Sequence, residues 1–328
     1  MSREVRRAGL PYSAFTTGGG LRIMQLGIVG LGRMGLGIAT RLNRRGHEVR
    51  GYDRDPERRR EATGQGIACS ETLSELTKNL AVPRVVWLML PAGQSTNETI
   101  ESLSELLESG DILIDGGNSF YRDTVRHAER LKNQGIQLLD AGVSGGVRGQ
   151  HDGYCVMVGG EKEAYEKVQP AFRDLAMKGG CAYVGRSGAG HFAKMVHNAI
   201  EYTFLQGLGE GFELLRNSGY EYDLASLADL WNHGSVIRSW LLELAEEVFR
   251  SSPDLEDVRG WVADSGEARW ALQEALERGV PVPTTAMSLI MRLRSRQEDS
   301  FSAKLVAKLR EAFGGHEVKS SRDDRRMP

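Results

Sequence analysis

The sequence is poor in cysteine, and its few cysteines lie far apart. Only three are present among 328 residues: Cys69, Cys155 and Cys181. An odd number of widely separated thiols gives neither a disulfide framework nor the close pairs of a zinc site. This usage is typical of a reducing compartment, so we expect a cytoplasmic protein without a structural metal.

Long apolar runs and an excess of charge of one sign are also missing. The longest apolar run, residues 85–90, is far shorter than the roughly 20 residues that cross a bilayer, so a soluble protein is predicted. The formal net charge is −2 at pH 7, which gives no sign of a nucleic-acid or membrane partner. Glycine, in contrast, is abundant, with 40 residues gathered mainly in loops.

The chain divides into four stretches by composition and periodicity. Residues 1–22 are basic, rich in Ser, Thr and Gly, and aperiodic, which predicts a disordered extension without the apolar core of a secretory signal. Met24 is therefore a candidate initiator. We predict a nucleotide-binding domain over residues 23–186, a helical domain over residues 187–316, and a disordered charged tail over residues 317–328.

A glycine-rich turn follows the first apolar run. Residues 23–29 lead into Gly30-Leu31-Gly32-Arg33-Met34-Gly35, then a helical pattern and a second strand at residues 48–52. The first glycine permits the tight turn, the second lets backbone approach a pyrophosphate, and the third allows close packing of helix on strand. Asp53 ends the second strand, where a carboxylate can accept hydrogen bonds from ribose hydroxyls. This context predicts a dinucleotide site.

The residues after that strand bear on which dinucleotide binds. The carboxylate of Asp53 would repel the 2′-phosphate of NADP and suits the free hydroxyl of NAD. Arg54 could cover the adenine or reach a 2′-phosphate, so NAD is favoured and NADP stays open. Asp55 and Pro56 predict the start of a helix, whose arginines we interpret as a solvated face.

Alternating strands and helices follow, as in a doubly wound parallel sheet of the α/β class. Strands are predicted at residues 85–90, 112–114 and 137–139, with helices at 95–107 and 121–132. Ligands bind at the carboxyl ends of such strands. The candidate residues in the loops at those ends are Leu90, Pro91, Ala92, Asn118, Ser144, Gly145 and Gly146.

The pattern changes after an antiparallel segment at residues 154–158 and a helix at 161–177. No strand is predicted beyond residue 185, and the boundary is placed at residues 185–190. Periodicity instead predicts helices at residues 188–217, 222–233, 239–250, 268–278, 286–295 and 302–313. The second domain is therefore predicted to be all-α.

The first of these helices carries a polar stripe. Lys194, His197, Asn198 and Glu201 lie at i, i+3, i+4 and i+7, so they project from one face. Apolar neighbours predict a helix that is buried nearly all round; they are Phe192, Met195, Val196, Ile200, Phe204 and Leu205. Because a buried lysine and glutamate are rare without a role, we interpret the stripe as a catalytic face rather than a solvated one.

These residues also resemble a known family. Gly-His-Phe-Ala-Lys194-Met-Val-His197-Asn198-Ala-Ile-Glu201-Tyr202 closely resembles the catalytic helix of decarboxylating 6-phosphogluconate dehydrogenases. Residues 115–121 and 142–146 resemble that family's substrate loops, and the likeness runs from about residue 23 to residue 316. It is closest to the short, bacterial-type branch within the β-hydroxyacid dehydrogenase superfamily.

The resemblance implies oxidative decarboxylation of 6-phospho-D-gluconate to ribulose 5-phosphate and CO2 in the pentose phosphate pathway. Lys194, neutral and with a lowered pKa, would take the hydroxyl proton as hydride leaves C3 for the nicotinamide. It would then donate to the carbonyl oxygen during decarboxylation, so no metal is needed. Glu201 would protonate C1 of the enediol, while Asn198 and Asn118 would hold hydroxyls and the carboxamide.

The resemblance also implies where the substrate is held. Ser144, Gly145, Gly146 and His197 would bind its acid end and adjacent hydroxyls. Tyr202, Arg269 and Arg292 would bind its phosphate, completed by Arg310 and His316 of the neighbouring subunit in a homodimer. Three positions depart from the long enzymes: Arg269 replaces a lysine, Ala271 a threonine and Val147 a glutamate.

Two other functions stay open. The first is a β-hydroxyacid dehydrogenase acting on a small non-phosphorylated 3-hydroxy acid, but such an enzyme would lack Glu201 and the arginines. The second is a nucleotide-sensing regulator without catalysis, which would need neither Lys194 nor Glu201.

Overall fold

The computed structural model describes residues 23–319, which form two compact units that divide between Lys194 and Met195. The predicted extension at residues 1–22, and residues 320–328 of the predicted tail, lie outside the described residues. Within residues 23–319, no helix combines the length and apolar character that crossing a membrane requires.

An eight-stranded sheet forms the centre of the first unit. Its strands are β1 (Gln25–Val29), β2 (Glu48–Tyr52), β3 (Ala68–Cys69), β4 (Val85–Leu88), β5 (Ile112–Asp115), β6 (Gln137–Ser144), β7 (Tyr154–Gly160) and β8 (Ala176–Gly185). Their order is β3-β2-β1-β4-β5-β6-β7-β8. Neighbouring strands from β3 to β6 are parallel, and only the β6–β7 pair is antiparallel. The predicted doubly wound α/β fold is confirmed.

Seven helices belong to this unit alone: α1 (Arg33–Arg44), α2 (Pro56–Gly64), α3 (Leu73–Lys78), α4 (Gln94–Ser104), α5 (Tyr121–Lys132), α6 (Gly149–Asp152) and α7 (Lys162–Leu175). Successive side chains of β4 enter different cores, because a strand points its residues to alternate faces. Trp87 belongs to one cluster and Leu88 to the other. Both faces of the sheet are therefore covered, as a parallel sheet requires.

Two strands were missed: β3, which has two residues, and β8, an edge strand with little apolar pattern. β8 follows α7 directly and pairs with β7, but Met177, Lys178 and Gly179 within it are all exposed. Such residues resemble a loop. β6 also extends beyond the predicted segment and includes Asp140 and Gly142.

Helix α8 (Ala189–Arg216) begins in the first unit and continues in the second, which is otherwise formed by α9 (Leu224–Asn232), α10 (Trp240–Ser251), α11 (Glu267–Glu277), α12 (Pro283–Arg294) and α13 (Phe301–Gly314). The predicted all-α character is confirmed. Two small apolar clusters form its interior, one around Tyr202 and one around Phe212. The αL residue Gly315 is the C-cap of α13.

The prediction that α8 is buried nearly all round is wrong for this single chain. Ile200 is 61% exposed, and Val196 and Leu205 are each 39% exposed. The physical reason is that the two apolar clusters of the second unit are small, so within residues 23–319 one face of α8 stays exposed. Gly207, Gly209 and Gly211 also lie in α8, and a Cβ at any of them would meet open space.

The first turn of α8 is held by a buried aspartate of β6. Asp140 is 0% exposed, and its Oδ1 and Oδ2 accept hydrogen bonds from the backbone N–H of Gly188 (2.8 Å) and His191 (2.9 Å). The helix approaches the strands at backbone distance, since a Cβ on Gly190 would lie 2.5 Å from the carbonyl oxygens of Asp140 and Met157. A side chain thus replaces the missing acceptors of a buried helix start.

We expect Asp140→Ala to lower the free energy of unfolding by about 2–4 kcal/mol, because two buried N–H groups would lose their acceptor. Asp140→Asn keeps one acceptor oxygen and should lose less. Urea unfolding followed by far-UV circular dichroism measures both variants, with Glu129→Ala on the exposed face of α5 as a control expected within about 0.5 kcal/mol of wild type. An Asp140→Ala protein as stable as the control would contradict the role of the carboxylate.

Candidate functional site

In the first unit, the predicted ligand loops follow parallel strands. Because the carboxyl ends of parallel strands meet at one edge of a sheet, the turn after β1, Asp53 after β2 and the loops after β4, β5 and β6 share that edge. The sheet order thus brings together the predicted cofactor residues and the first group of substrate residues.

The glycine turn after β1 has the close backbone contacts that its sequence predicts. Gly30 has φ +92°, its N–H donates to the carbonyl of Tyr52 at 2.8 Å, and a Cβ there would lie 2.5 Å from the carbonyl oxygen of Met89. A Cβ on Gly35 would overlap the carbonyl of Gly30. The N-cap of α1 is Gly32, so no capping side chain accepts a hydrogen bond from the helix start. No acidic residue lies in the first turn either. This helix start can accept an anion, as the pyrophosphate of a dinucleotide requires.

Asp53 is buried and holds this turn in place. Its exposure is 5%, and its carboxylate accepts from the backbone N–H of Leu31 at 2.7 Å and of Asp55 at 2.9 Å. Each carboxylate oxygen has a further acceptor site, so the group fits a ribose hydroxyl in addition. Arg33 and Arg54 are exposed, while Met34 is half-buried.

The α2 arginines are interpreted from the sequence as a solvated face, and Arg58 and Arg60 are exposed, but Arg58 and the partly buried Arg59 also contact Asp53. Arg58 Nη1 lies 3.5 Å from Oδ2 of Asp53, and Arg59 Nη1 donates to the backbone carbonyl of Asp53 at 2.7 Å. Asp55 is the N-cap of α2, so the first turns of that helix come directly after the strand end. The charge pattern alone contains no signal of this contact.

Asn118 is the most distinctive residue of the loop after β5. It has φ +53°, an uncommon backbone conformation for a non-glycine residue, and its buried Oδ1 has no hydrogen-bond partner among the described residues. Asp115, itself 1% exposed, shapes this loop by accepting from Gly117 N (3.0 Å) and Ser119 Oγ (2.7 Å). An unsatisfied buried amide oxygen at this edge fits a ligand donor.

The remaining loop candidates lie after β4 and β6. Leu90 is half-buried and Pro91 and Ala92 are exposed. Ser144 ends β6, and Gly145 and Gly146 follow with φ +125° and +54°. The positive φ values explain why this turn carries two glycines.

Lys194 is 6% exposed and lies against β6 near this loop. A Cβ on Gly142 would lie 2.5 Å from the Cβ of Lys194, so only glycine at that position lets the lysine approach the strand. Ser144 follows two residues later on the same strand. The first unit therefore places the predicted base beside the predicted acid-binding loop.

In the second unit, α8 continues the polar stripe. His197 Nδ1 lies 3.1 Å from Asn198 Oδ1 and 3.9 Å from Glu201 Oε2. Asn198 is 9% exposed, whereas the side chains of His197 and Glu201 are 39% and 41% exposed. The stripe is thus a connected row of polar groups that solvent or a ligand can reach at Glu201.

The three predicted phosphate residues come from different helices and meet in one cluster. Tyr202 is 3% exposed, and the guanidinium carbon of Arg292 lies 3.3 Å from the centroid of its ring. Arg269 pairs with Asp264, whose Oδ1 accepts from the Tyr202 hydroxyl at 3.3 Å. Two arginines and a tyrosine hydroxyl in one place can recognise an oxyanion.

Sequence reasoning missed Asp264, which lies at the centre of this cluster. Burial raises the pKa of its carboxyl, but hydrogen bonds from Arg269, the Gly266 N–H and Tyr202, with the charge of Arg269, outweigh burial and hold the pKa below its ordinary value. The side chain is therefore an anion. The only signal was an acid two residues before a glycine at a helix start, which equally predicts an ordinary turn.

Arg310 and His316 are not brought to this cluster within the chain. In residues 23–319, neither forms a hydrogen bond, ion pair or ring contact with Tyr202, Arg269 or Arg292. Arg310 is exposed on α13, and the ring centroid of His316 lies 6.2 Å from that of Phe313. Their predicted role in a neighbouring subunit stays a prediction.

Comparison with known proteins agrees with both units. Residues 25–185 match the NAD binding domain of 6-phosphogluconate dehydrogenase, and residues 190–326 match the C-terminal domain of 6-phosphogluconate dehydrogenase. Residues 25–185 are therefore an NAD-binding domain, which agrees with the fit of the glycine turn and Asp53.

Individual relatives extend this likeness over most of the chain. YqeC of Bacillus subtilis (strain 168), itself named only provisionally as a 6-phosphogluconate dehydrogenase, is 44% identical over 89% of this chain and 98% of its own. The NAD(+)-dependent, decarboxylating 6-phosphogluconate dehydrogenase of Haloferax volcanii is 44% identical over 92% of this chain and 100% of its own. The Plasmodium falciparum 6-phosphogluconate dehydrogenase structure matches with a TM-score of 0.78 and 29% identity, over 90% of this chain and 66% of that one. On these grounds the chain belongs to the 6-phosphogluconate dehydrogenase family.

Proposed function

We propose that this protein catalyses the oxidative decarboxylation of 6-phospho-D-gluconate to ribulose 5-phosphate and CO2 with reduction of NAD. The observation that carries the proposal is the meeting of Tyr202, Arg269 and Arg292 in one cluster, in which the buried carboxylate of Asp264 contacts Arg269 and Tyr202 and the Tyr202 ring contacts Arg292. A small non-phosphorylated acid carries no phosphate for two arginines to bind, so a dehydrogenase for such a substrate would not need them. The Haloferax relative, named for this reaction, supports the same assignment.

In this proposal the phosphate end is bound by the cluster. The bond from Arg269 to Asp264 uses Nε, which leaves the two terminal amino groups to bind phosphate oxygens in the planar, bidentate manner of arginine. Arg292 is held by the ring of Tyr202 and by a bond from Nη1 to the carbonyl of Ala263 at 3.2 Å. The acid end binds Ser144 and the two glycines after it.

Lys194 is the proposed base and Asn198 its neighbour one turn along α8. When bound, the nicotinamide supplies a hydride acceptor for C3 of the substrate. Lys194, in its neutral form, takes the proton of the C3 hydroxyl, and its ammonium form then donates to the C3 oxygen as negative charge builds there during loss of CO2. The amide of Asn198 holds a substrate hydroxyl in register.

Glu201 is the proposed acid for the last step, protonation of C1 of the enediol. It lies seven residues after Lys194, so both project from one face of α8. His197 lies between them on that face, 3.9 Å from the Glu201 carboxylate, and can keep that carboxyl directed along the helix. The exposed fraction of Glu201 allows it to regain its proton from water.

We propose that Asn118 and residues 90–92 also contact the cofactor, with Asp53 selecting NAD over NADP through its charge. The buried, unpartnered Oδ1 of Asn118 supports a contact with a donor such as the carboxamide. NADP use stays possible, because Arg54 is exposed and Arg58 lies next to Asp53. We further propose a cytoplasmic enzyme of the pentose phosphate pathway and of gluconate use.

We also propose a homodimer in which Arg310 and His316 complete the neighbouring subunit's phosphate site. Its support is an apolar surface that residues 23–319 leave uncovered: Phe301, Leu305, Leu309 and Phe313 on α13 are 79%, 48%, 53% and 77% exposed. They lie at i, i+4, i+8 and i+12, so they form one stripe. A contiguous apolar face of this kind marks an interaction site.

Turnover of three substrates tests the proposed reaction. NADH formation and CO2 release are measured with 6-phosphogluconate, gluconate and 3-hydroxyisobutyrate. We expect both products from 6-phosphogluconate, with a kcat/KM far above that for gluconate. Preference for 3-hydroxyisobutyrate without CO2 would favour the alternative dehydrogenase, and no turnover with bound NAD would favour a regulator.

Replacement of Lys194 should separate chemistry from cofactor binding. We expect Lys194→Met to lower kcat by about 10³-fold or more, since general acid–base groups contribute about 10²–10⁴-fold, with the Kd for NAD unchanged. Glu201→Gln on the same face should still produce NADH in a first turnover but slow later cycles. Steady-state kinetics, rapid mixing and NAD titration measure these effects. Near-normal turnover of Lys194→Met would remove it as the base.

Asp53→Asn should lower the selectivity for NAD over NADP by at least about tenfold. A hydrogen bond to a charged group contributes about 1.5–3 kcal/mol, and loss of the charge also removes repulsion of a 2′-phosphate. Asn keeps an acceptor for the Leu31 N–H, so the turn should stay intact, whereas Ala would remove it. The measurement is kcat/KM for both cofactors, with Asp55→Asn as the control. Unchanged selectivity would show that Asp53 does not contact the ribose.

Mixed subunits test the contribution of Arg310. Lys194→Met and Arg310→Ala proteins should each be inactive alone. After subunit exchange, a heterodimer contains one site with Lys194 from one chain and Arg310 from the other, so activity should return to about a quarter of wild type for random mixing of equal amounts. Exchange is verified by mass spectrometry. If heterodimers form without any recovery, Arg310 does not act across the subunits.

A further inference from the structure

A carboxylate lies among the residues that we propose bind the substrate phosphate, where a like charge would ordinarily weaken anion binding. Asp264 has a side-chain exposure of 3%, whereas its partner Arg269 is 52% exposed. Asp264 pairs with Arg269, and Arg292 over the Tyr202 ring adds a second positive charge, so the cluster has a net positive charge. The question is what the buried anion does there.

The bonds of Asp264 connect three parts of the cluster. Oδ2 accepts from Nε of Arg269. Oδ1 accepts from the Gly266 N–H at 3.1 Å and from the Tyr202 hydroxyl at 3.3 Å. One carboxylate therefore fixes the loop before α11, the arginine of α11 and the tyrosine of α8.

The residues beside Asp264 hold the other side of the cluster. The carbonyl of Ala263 accepts from Arg292 Nη1 at 3.2 Å, and Ser265 Oγ lies 3.1 Å from the Tyr202 hydroxyl. The Tyr202 ring, in turn, lies under the Arg292 guanidinium. The short segment from Ala263 to Gly266 is thus the common support of both arginines.

We propose that Asp264 is the positioning residue of the phosphate site and determines its selectivity for a phosphorylated substrate. It orients Arg269 through Nε, so that the two terminal amino groups are presented as a fork to a phosphate. This inference rests on the proposed function.

The test compares two variants that each remove one buried charge beside an arginine. Asp264→Asn keeps the size of the side chain and an acceptor for Gly266 but loses the charge that orients Arg269. Glu274→Gln is the matched control, because Glu274 has the same 3% side-chain exposure and pairs at 3.1 Å with Arg278, which is 55% exposed. Both pairs involve an arginine of similar exposure at α11.

We expect Asp264→Asn to raise KM for 6-phosphogluconate about tenfold with kcat at saturation unchanged, since the arginine is disordered but the chemistry is not touched. The inhibition constant of inorganic phosphate should rise by a similar factor. Asp264→Glu, which retains the charge at a shifted position, should recover part of the loss. Glu274→Gln should change neither constant.

Three results would overturn the proposal. They are unchanged KM and phosphate inhibition in Asp264→Asn, a fall in kcat with no change in KM, and an equal effect of Glu274→Gln. If Asp264→Asn fails to fold, Asp264→Glu carries the test, and wild-type constants in that variant count against the proposal. Failure of the wild-type protein to release CO2 from 6-phosphogluconate would instead refute the proposed function.

Discussion

The contact on which the candidate site depends is the approach of the first turns of α8 to β6 and β7. That approach is possible only because Gly142, Gly159 and Gly190 leave no side chain between the helix and the strands. Asp140 then supplies the acceptors that the buried helix start needs. This approach also determines how deeply Lys194 is buried and which way it points, since its Cβ lies against the glycine of β6. The position of the proposed base is therefore a property of the packing and not of the lysine itself.

Buried aspartates recur at each part of the site. Asp53, Asp115 and Asp140 follow or lie within parallel strands, and Asp264 precedes α11; each accepts at least one backbone N–H. None is a proposed catalytic group. A carboxylate is suited to this work because it accepts several hydrogen bonds and cannot donate, so it can hold a turn that contains glycine without competing for its acceptors. Of these four carboxylates, Asp53 is also proposed to contact a ligand, the ribose of the cofactor.

Much of the fold could be predicted from periodicity. β2 and α5 have the predicted bounds, and α8 differs from its prediction by one residue at each end. These elements combine a regular apolar pattern with clear turn residues. β8 could not be found in the same way, because an edge strand with Gly179 and Gly180 lacks such a pattern.

The site was predictable where a residue belongs to a local motif and not where its role depends on distant packing. Tyr202, Arg269 and Arg292 were selected by resemblance, and the structure brings them together. Asp264 was missed, since an acid in a loop has the same local pattern whether it is exposed or central. The burial of α8 was overestimated for a related reason: an apolar pattern specifies that a face needs cover but not which chain provides it.

The glycines at positions 207, 209 and 211 have a consequence for the motion of α8. Each costs up to about 1 kcal/mol relative to alanine in a helix interior, and among residues 23–319 no atom lies where a Cβ at these positions would meet it. The helix is therefore weakest between the apolar cluster that contains Tyr202 and the apolar cluster that contains Phe212. Local opening should begin there, so slow amide exchange would be expected on either side of a fast-exchanging middle. Thermal motions of the C-terminal end of α8 would then be damped at these glycines and would not be transmitted to the polar stripe.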